Sequence, residues 1–357
     1  MKTKAFVLLG CVLFLNSCKK QETKTQDDFL METKKSTDKK FPSVQSLENY
    51  KQTKVLATLE DSLQQGFNSV YCVSLLYAWD ELKKTLNEPI VVDPKATELS
   101  ALNRSKSQQD VRSRKDVTFT TDFNDFGVKV FANFKKSLPF AYEFIDFNTE
   151  YYREKERLKF NNTAVESFGT IGYYFPVTTS TEVLFYSSDN DFAIKLKPRD
   201  YRHEIVLYMP NKRYKSMESL LSDFELKLQQ GLKEKSDKEK AWKFEINGED
   251  ELFIPKIRFN IAANFSKLIG SRFLARGKTY FLKEVTQQNA FFLDQTGAGI
   301  ESIVEMEAPA CEEALAKIPP KQKLHFDKPF FLMIKKKASK RPYFALWVAN
   351  TELLVKE

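Results

Sequence analysis

The chain has 357 residues and a formal net charge of +8, with 42% hydrophobic and 29% charged residues. Only 11 of them are glycine, and neither a G-x-G-x-x-G pattern nor a P-loop occurs, which removes the Gly-rich phosphate cradles. Its lysines are spread along the chain with no basic stripe interleaved with aromatics, so nucleic acid is not expected as a partner.

Lys2 and Lys4 precede an apolar run from Ala5 to Leu15, and Leu15-Asn16-Ser17-Cys18 closes this stretch. A positive start, a short apolar core and a small residue at the cut describe an export signal, too short to span a bilayer as a mature helix. The Leu-x-small-Cys pattern resembles the bacterial lipobox, whose cysteine is lipidated and becomes the first mature residue. The alternative is an ordinary cleaved signal with an incidental cysteine. The resemblance makes residues 1–17 a lipoprotein signal peptide and Cys18 the lipidated residue, with the membrane as partner through that lipid. Lys19, in place of an aspartate, points to the outer membrane of a bacterial cell envelope. Residues 18–41 are polar and rich in lysine, threonine and acids; such a composition cannot offset the entropy of ordering, so they read as a disordered tether. Residues 42–357 are expected to form a single domain.

Within that domain, residues 43–65 read as a helix with Val44, Leu47, Val55, Leu56, Leu59 and Leu63 as its apolar members. A second helix is expected from Val73 to Leu86, before Pro89. Residues 93–116 read as a loop or a poorly packed helix. Val128 to Phe134 alternates at period two, as a half-buried strand should, and further strands are expected at 171–177, 181–187, 192–197 and 203–209. Ser216 caps a helix whose apolar face is Met217, Leu220, Leu221, Phe224 and Leu228. Ile257, Phe259 and Ile261 alternate after Pro255, and a short helix is expected around Phe265 to Ile269. No sustained β-α-β-α alternation occurs, so the fold class is α+β, with large and mainly antiparallel sheets.

Signs of catalysis are missing from this pattern. His203 and His325 are the only histidines, neither has a second His or Cys at ligand spacing, and no G-x-S-x-G elbow is present. No cofactor is implied. Cys72, inside Val70-Tyr71-Cys72-Val73-Ser74-Leu75-Leu76, reads as a buried structural thiol, and His325 as a structural residue.

The chain ends with Phe326-Asp327-Lys328-Pro329-Phe330-Phe331-Leu332-Met333-Ile334 and then Tyr343-Phe344-Ala345-Leu346-Trp347-Val348. A strand-like run from Tyr280 to Asp294, a small-residue corner at Gly297-Ala298-Gly299 and a loop to Ile318-Pro319-Pro320 come before them. This order, and the Phe-x-x-Pro-Phe-x-x-x-Ile block above all, resembles the carboxyl end of serpins. Other segments resemble serpin elements in the right order: Val70 to Leu76 the buried second helix, Val130 to Pro139-Phe140 the Asn-bearing strand and its turn, Ile205 to Pro210 a barrel strand, and Leu252 to Phe259 the Leu-Pro-Lys-Phe strand. The resemblance implies a serpin-like fold, with helices packed at one end of the sheets and an exposed loop before the last strands. The region between the second helix and the Asn-bearing strand is shorter than in typical serpins, so the main sheet is expected to be trimmed.

In serpins the loop is bait for a protease, and its hinge enters the main sheet as a new strand once cut. The hinge candidates here are Gly297, Ala298, Gly299, Ile300, Ser302 and Val304, and family spacing from Gly297 places the scissile residue near Cys311. Ala310, Cys311, Glu312, Glu313, Ala314 and Leu315 are all reactive-loop candidates. Ile300, Val304 and Glu301 depart from the small-residue hinge of inhibitory serpins. Alternation answers part of that departure: Ala298, Ile300, Ser302, Val304, Met306 and Ala308 share one uncharged face, and Glu301, Glu305 and Glu307 fall on the other. Two readings stay open, a protease inhibitor with a target serine or cysteine protease as partner, and a non-inhibitory surface binding lipoprotein on the same fold.

Overall fold

The computed structural model describes residues 41–124, 127–153, 157–298 and 320–357. The chain runs through β1 (Gln45–Ser46), β2 (Thr53–Leu56) and β3 (Asn68–Cys72) into helix α1 (Ser74–Leu86), then β4 (Val91–Val92) and helix α2 (Thr97–Arg104). A hairpin, β5 (Val117–Asn124) and β6 (Gly127–Phe134), leads to β7 (Leu138–Pro139), β8 (Ile145–Asp146) and the short α3 (Glu150–Arg153). Next come β9 (Lys159–Phe160), β10 (Thr163–Ala164), β11 (Ser167–Ile171) and α4 (Phe175–Ser180). Strands β12 (Thr181–Ser188), β13 (Asp191–Leu196) and β14 (His203–Met209) precede helix α5 (Met217–Glu234). They are followed by β15 (Glu251–Pro255), β16 (Ile257–Asn264), β17 (Arg272–Ala275), β18 (Lys278–Phe281), β19 (Thr286–Leu293) and β20 (Gly297–Ala298). The last strands are β21 (Lys323–His325), β22 (Phe330–Lys336) and β23 (Phe344–Val348).

The largest sheet has seven strands in the order β12-β13-β14-β22-β23-β3-β2, antiparallel throughout except for the β2–β3 pair. Its register explains the period-two pattern. One row, Val183, Ile194, Leu207, Leu332, Leu346, Val70 and Val55, crosses all seven strands with an apolar residue from each. The C-terminal β22 and β23 therefore lie inside the sheet, and Phe330, Phe331, Leu332, Ala345, Leu346 and Val348 have no exposed surface. A second sheet is ordered β21-β15-β11-β8, and a third β1-β16-β19. The fold is α+β with large, mainly antiparallel sheets, as the sequence pattern implies.

Both main helices form where their local signals place them. In α1 the buried Leu75, Leu76, Trp79, Leu82 and Leu86 share the inward face. Asn87 ends it in the left-handed region at φ 52, with Lys83 and Lys84 at the negative end of the helix dipole. In α5 the Ser216 hydroxyl accepts from Ser219 N–H in a capping box, and Met217, Leu220, Leu221 and Phe224 are buried.

Three expectations are corrected. Residues 43–65 are not a helix: Leu47–Asn49 is a 3-10 turn between β1 and β2. The Glu352 carboxylate there accepts from the N–H groups of Lys51 (2.7 Å) and Gln52 (3.1 Å) and from the Thr53 hydroxyl (2.6 Å), which draws the chain into an extended path along β3. The strand expected over 171–177 ends at Ile171. Gly172 breaks it at φ 72, where a Cβ would stand 2.7 Å from the Gly248 carbonyl oxygen, and α4 follows. The helix expected around Phe265 to Ile269 is a turn, and the hairpin β17–β18 follows it, with β18 kept separate from β19. Residues 93–116, left between loop and helix, supply α2, whose Leu99 and Leu102 are buried.

Candidate functional site

Alternation along β19 turns Gln287, Asn289, Phe291 and Leu293 inward. Phe291 stacks on Phe344 with ring centroids 4.7 Å apart. Gln287 Nε2 donates to the Cys72 carbonyl oxygen (3.2 Å) and to the Ser74 hydroxyl oxygen (2.7 Å), fastening β19 to the start of α1. One edge of β19 pairs with β16 from Thr286 to Leu293. Among the described residues no strand pairs with its other edge, and β6 pairs only with β5. The β5–β6 hairpin packs on the same helix α1. Helix α1 is thus a floor beneath two strands, β19 and β6, that do not pair with each other.

At its end β19 turns back. Asp294 and Gly297 exchange backbone hydrogen bonds of 3.1 and 3.2 Å around Gln295-Thr296. Asp294 Oδ1 holds the turn by accepting from the Thr296 N–H (2.9 Å) and hydroxyl (2.7 Å). The short β20 that follows runs antiparallel to β7, with Gly297 opposite Pro139 and Ala298 opposite Leu138. Phe140 and Phe144 donate their N–H groups to the carbonyls of Thr296 and Gln295, both at 3.0 Å. Gly297 has φ 138, and a Cβ there would lie 2.6 Å from Pro139 Cα and 2.7 Å from the Leu138 carbonyl oxygen. Only glycine permits so close an approach. Ala298 is 4% exposed.

Two of the hinge candidates, Gly297 and Ala298, form β20 between the end of β19 and β7. The hinge candidates Gly299, Ile300, Ser302 and Val304, the loop candidates Ala310, Cys311, Glu312, Glu313, Ala314 and Leu315, and the lipidation candidate Cys18 lie outside the described residues. Past the loop, the Gln322 N–H donates to Asp250 Oδ1 (2.7 Å), and β21 runs parallel to β15. Cys72 is buried, its thiol pushed up by that burial and its sulfur accepting from the Ser74 hydroxyl at 3.5 Å. His325 Nε2 lies 2.9 Å from Glu251 Oε2, between the strands β21 and β15.

Sequence reasoning missed Gln287, Asn289 and the Leu138–Pro139 edge. The first two carry a readable signal, polar residues at alternate positions of a strand whose other inward members are Phe291 and Leu293. Gln287 Oε1 and Asn289 Nδ2 are buried with no hydrogen-bond partner among the described residues. Such groups cost about 1–3 kcal/mol each when they stay unmet.

No protein-family model matches the sequence, and no curated protein is matched by it. Among solved structures, the chain is similar to a serpin from the trematode Schistosoma haematobium, at 14% identity over 64% of this chain and 58% of that one, with a TM-score of 0.37. It is similar to the mouse protein Z-dependent protease inhibitor, at 17% identity over 62% and 54%, TM-score 0.36. It is also similar to tengpin, a thermophilic serpin in its native state, at 9% identity over 66% and 50%, TM-score 0.32. The chain spans between half and three fifths of the length of these proteins. Two of the three, the trematode protein and tengpin, are serpins by name, the family whose motifs the sequence resembles.

Proposed function

We propose that this chain is an envelope-tethered, serpin-like inhibitor of serine or cysteine proteases, and that it acts by loop cleavage and strand insertion rather than by catalysis. The observation that carries this reading is the short β20. The Asp294–Gly297 bridge sets its register, and a strand continuing from Ala298 in the same direction would run back along the free edge of β19. In that register Ala298 falls opposite Leu293, Ile300 opposite Phe291, Ser302 opposite Asn289 and Val304 opposite Gln287. The uncharged face of the hinge thus meets the inward face of β19, and the hydroxyl of Ser302 meets the unpartnered amide of Asn289. Glu301 and Glu305 fall opposite the exposed Ala290 and Thr286. Strand addition of this kind is a known switch, driven by the edge hydrogen bonds and apolar burial that the uncut state lacks.

The test is cleavage of the loop between residues 305 and 316, followed by a thermal melt. Burial of Ile300, Val304 and Met306 is worth roughly 1.5–3 kcal/mol each. At about 2–4 °C per kcal/mol, the cut protein should melt on the order of 10 °C or more above the intact one. A cognate protease should also be held in an SDS-stable adduct. A chain that is cut, gains no stability and holds no protease is not an inhibitor.

One observation favours the second reading, a non-inhibitory binding protein. Ile300 would need room opposite Phe291, which is already stacked on Phe344. In that case cleavage leaves the melt unchanged. Tethering stands apart from both readings and rests on the Leu15-to-Cys18 pattern. A radiolabelled lipid precursor should mark the wild type and leave Cys18→Ser unlabelled, whereas equal labelling of the two would end the idea of a lipid anchor.

A further inference from the structure

His203 opens β14 and is buried at 3% exposure. Its Nδ1 shares a hydrogen bond of 2.9 Å with the Tyr343 hydroxyl, and its Nε2 lies 3.7 Å from Asp200 Oδ2. From this ring two routes reach the end of β6. Tyr343 packs on Phe134 with ring centroids 5.1 Å apart, and Asp200 faces Lys136 Nζ at 3.6 Å. Lys136 also lies 3.8 Å from Asp116, the residue before β5, and Asp116 pairs with Lys336 at 2.6 Å. Lys336 in turn sits opposite His203 in the β14–β22 register. The charged groups around the ring thus come from both sides, Asp116 and Lys136 from the two ends of the hairpin β5–β6, Asp200 from the connection between β13 and β14, and Lys336 from β22. Arg202, exposed, holds the Asp200 carboxyl well below the usual range through a bidentate contact.

We propose that His203, with Tyr343 and the Asp116–Lys136–Asp200–Lys336 cluster, is an acid-sensitive latch that fastens the end of β6 to the seven-stranded sheet. Beyond the latch the chain enters β7, the strand that holds the hinge residues Gly297 and Ala298, so a loosened latch frees the hinge edge. This holds whether or not the loop traps a protease.

Protonation is the trigger. Burial first, then the charge of Lys136 and, more weakly, of Lys336, holds the imidazole down to about 4, against the ordinary 6.5, with Asp200 and Asp116 opposing. A base held below its ordinary pKa binds fewer protons in the closed state than in the open one. The closed state keeps its full advantage above pH 6.5 and loses it as pH falls from 6.5 toward 4. Opening should be about tenfold more populated at pH 5.5 than at pH 7.5.

Hydrogen exchange of the full chain at the two pH values, corrected for intrinsic rates, measures this. Amides of residues 117–124 and 134–140 should exchange about tenfold faster at pH 5.5, while those of β3 and β23 stay unchanged. His203→Gln should abolish the difference, and Lys136→Met should shrink it by letting the ring titrate nearer its ordinary value. The proposal is overturned by wild-type exchange that does not respond to pH, by a response equally large in β3, or by a response that survives His203→Gln. The wild-type measurement decides the matter alone should the His203 variant fail to fold.

Discussion

Removal of residues 326–357 is expected to leave a chain with no cooperative unfolding transition. The deleted β22 and β23 sit between β14 and β3, so their loss splits the seven-stranded sheet into two pieces with open edges. Seven side chains without exposed surface leave with the deleted segment, among them Phe326, Phe330, Phe331, Leu332 and Leu346. Truncating one large core residue costs about 2–5 kcal/mol, and a whole domain is stable by only about 5–15 kcal/mol. Polar ties go too: Asn68 Oδ1 would lose the N–H groups of Ala349 (2.8 Å) and Asn350 (3.1 Å), and would remain in a strand built to be buried. Circular dichroism on heating should show a broad, non-cooperative change, with exposed apolar surface that binds a fluorescent dye. A sharp melt within a few degrees of the full chain would mean that the core lies elsewhere.

What could be read from the sequence follows the range of the interactions involved. Helix α5 was legible because Ser216, its cap and its apolar face lie within a few residues of one another. The strands from 181 to 209 were legible because runs rich in apolar and β-branched residues are a local property of the sequence. The stretch 43–65 misled because its apolar spacing also suits a helix, and what decides its path is Glu352, about 300 residues downstream. Gln287 was invisible as a functional residue for the same reason, since the Ser74 hydroxyl it holds is 213 residues away. Gly297 could be named from sequence as a hinge candidate, through the family resemblance. Its reason for being glycine could not, because Leu138 and Pro139 come from a strand that only the fold brings beside it.

Ser302→Arg is expected to abolish the gain in stability on loop cleavage, while Glu301→Arg should keep it. The two residues are neighbours, so both variants add a similar charge to the same stretch and should be cut equally well. They differ in face. If the strand continues in the register of the Asp294–Gly297 bridge, position 302 would share the inward face of β19 with Asn289, and position 301 would face outward with the exposed Ala290. An arginine driven inward would bury a charge with no partner, a cost of several kcal/mol, comparable to everything the inserted apolar residues contribute. Ala298→Arg should behave as Ser302→Arg does and should lower the melt of the uncut chain as well, because Ala298 is already buried beside Leu138. The measurement is the melting temperature of each variant before and after cleavage, with adduct formation read on the same samples. If Ser302→Arg and Glu301→Arg both keep the gain, the strand does not insert in this register. If the wild type and Glu301→Arg alone gain stability and hold protease, the turn at Asp294 is the start of a working trap.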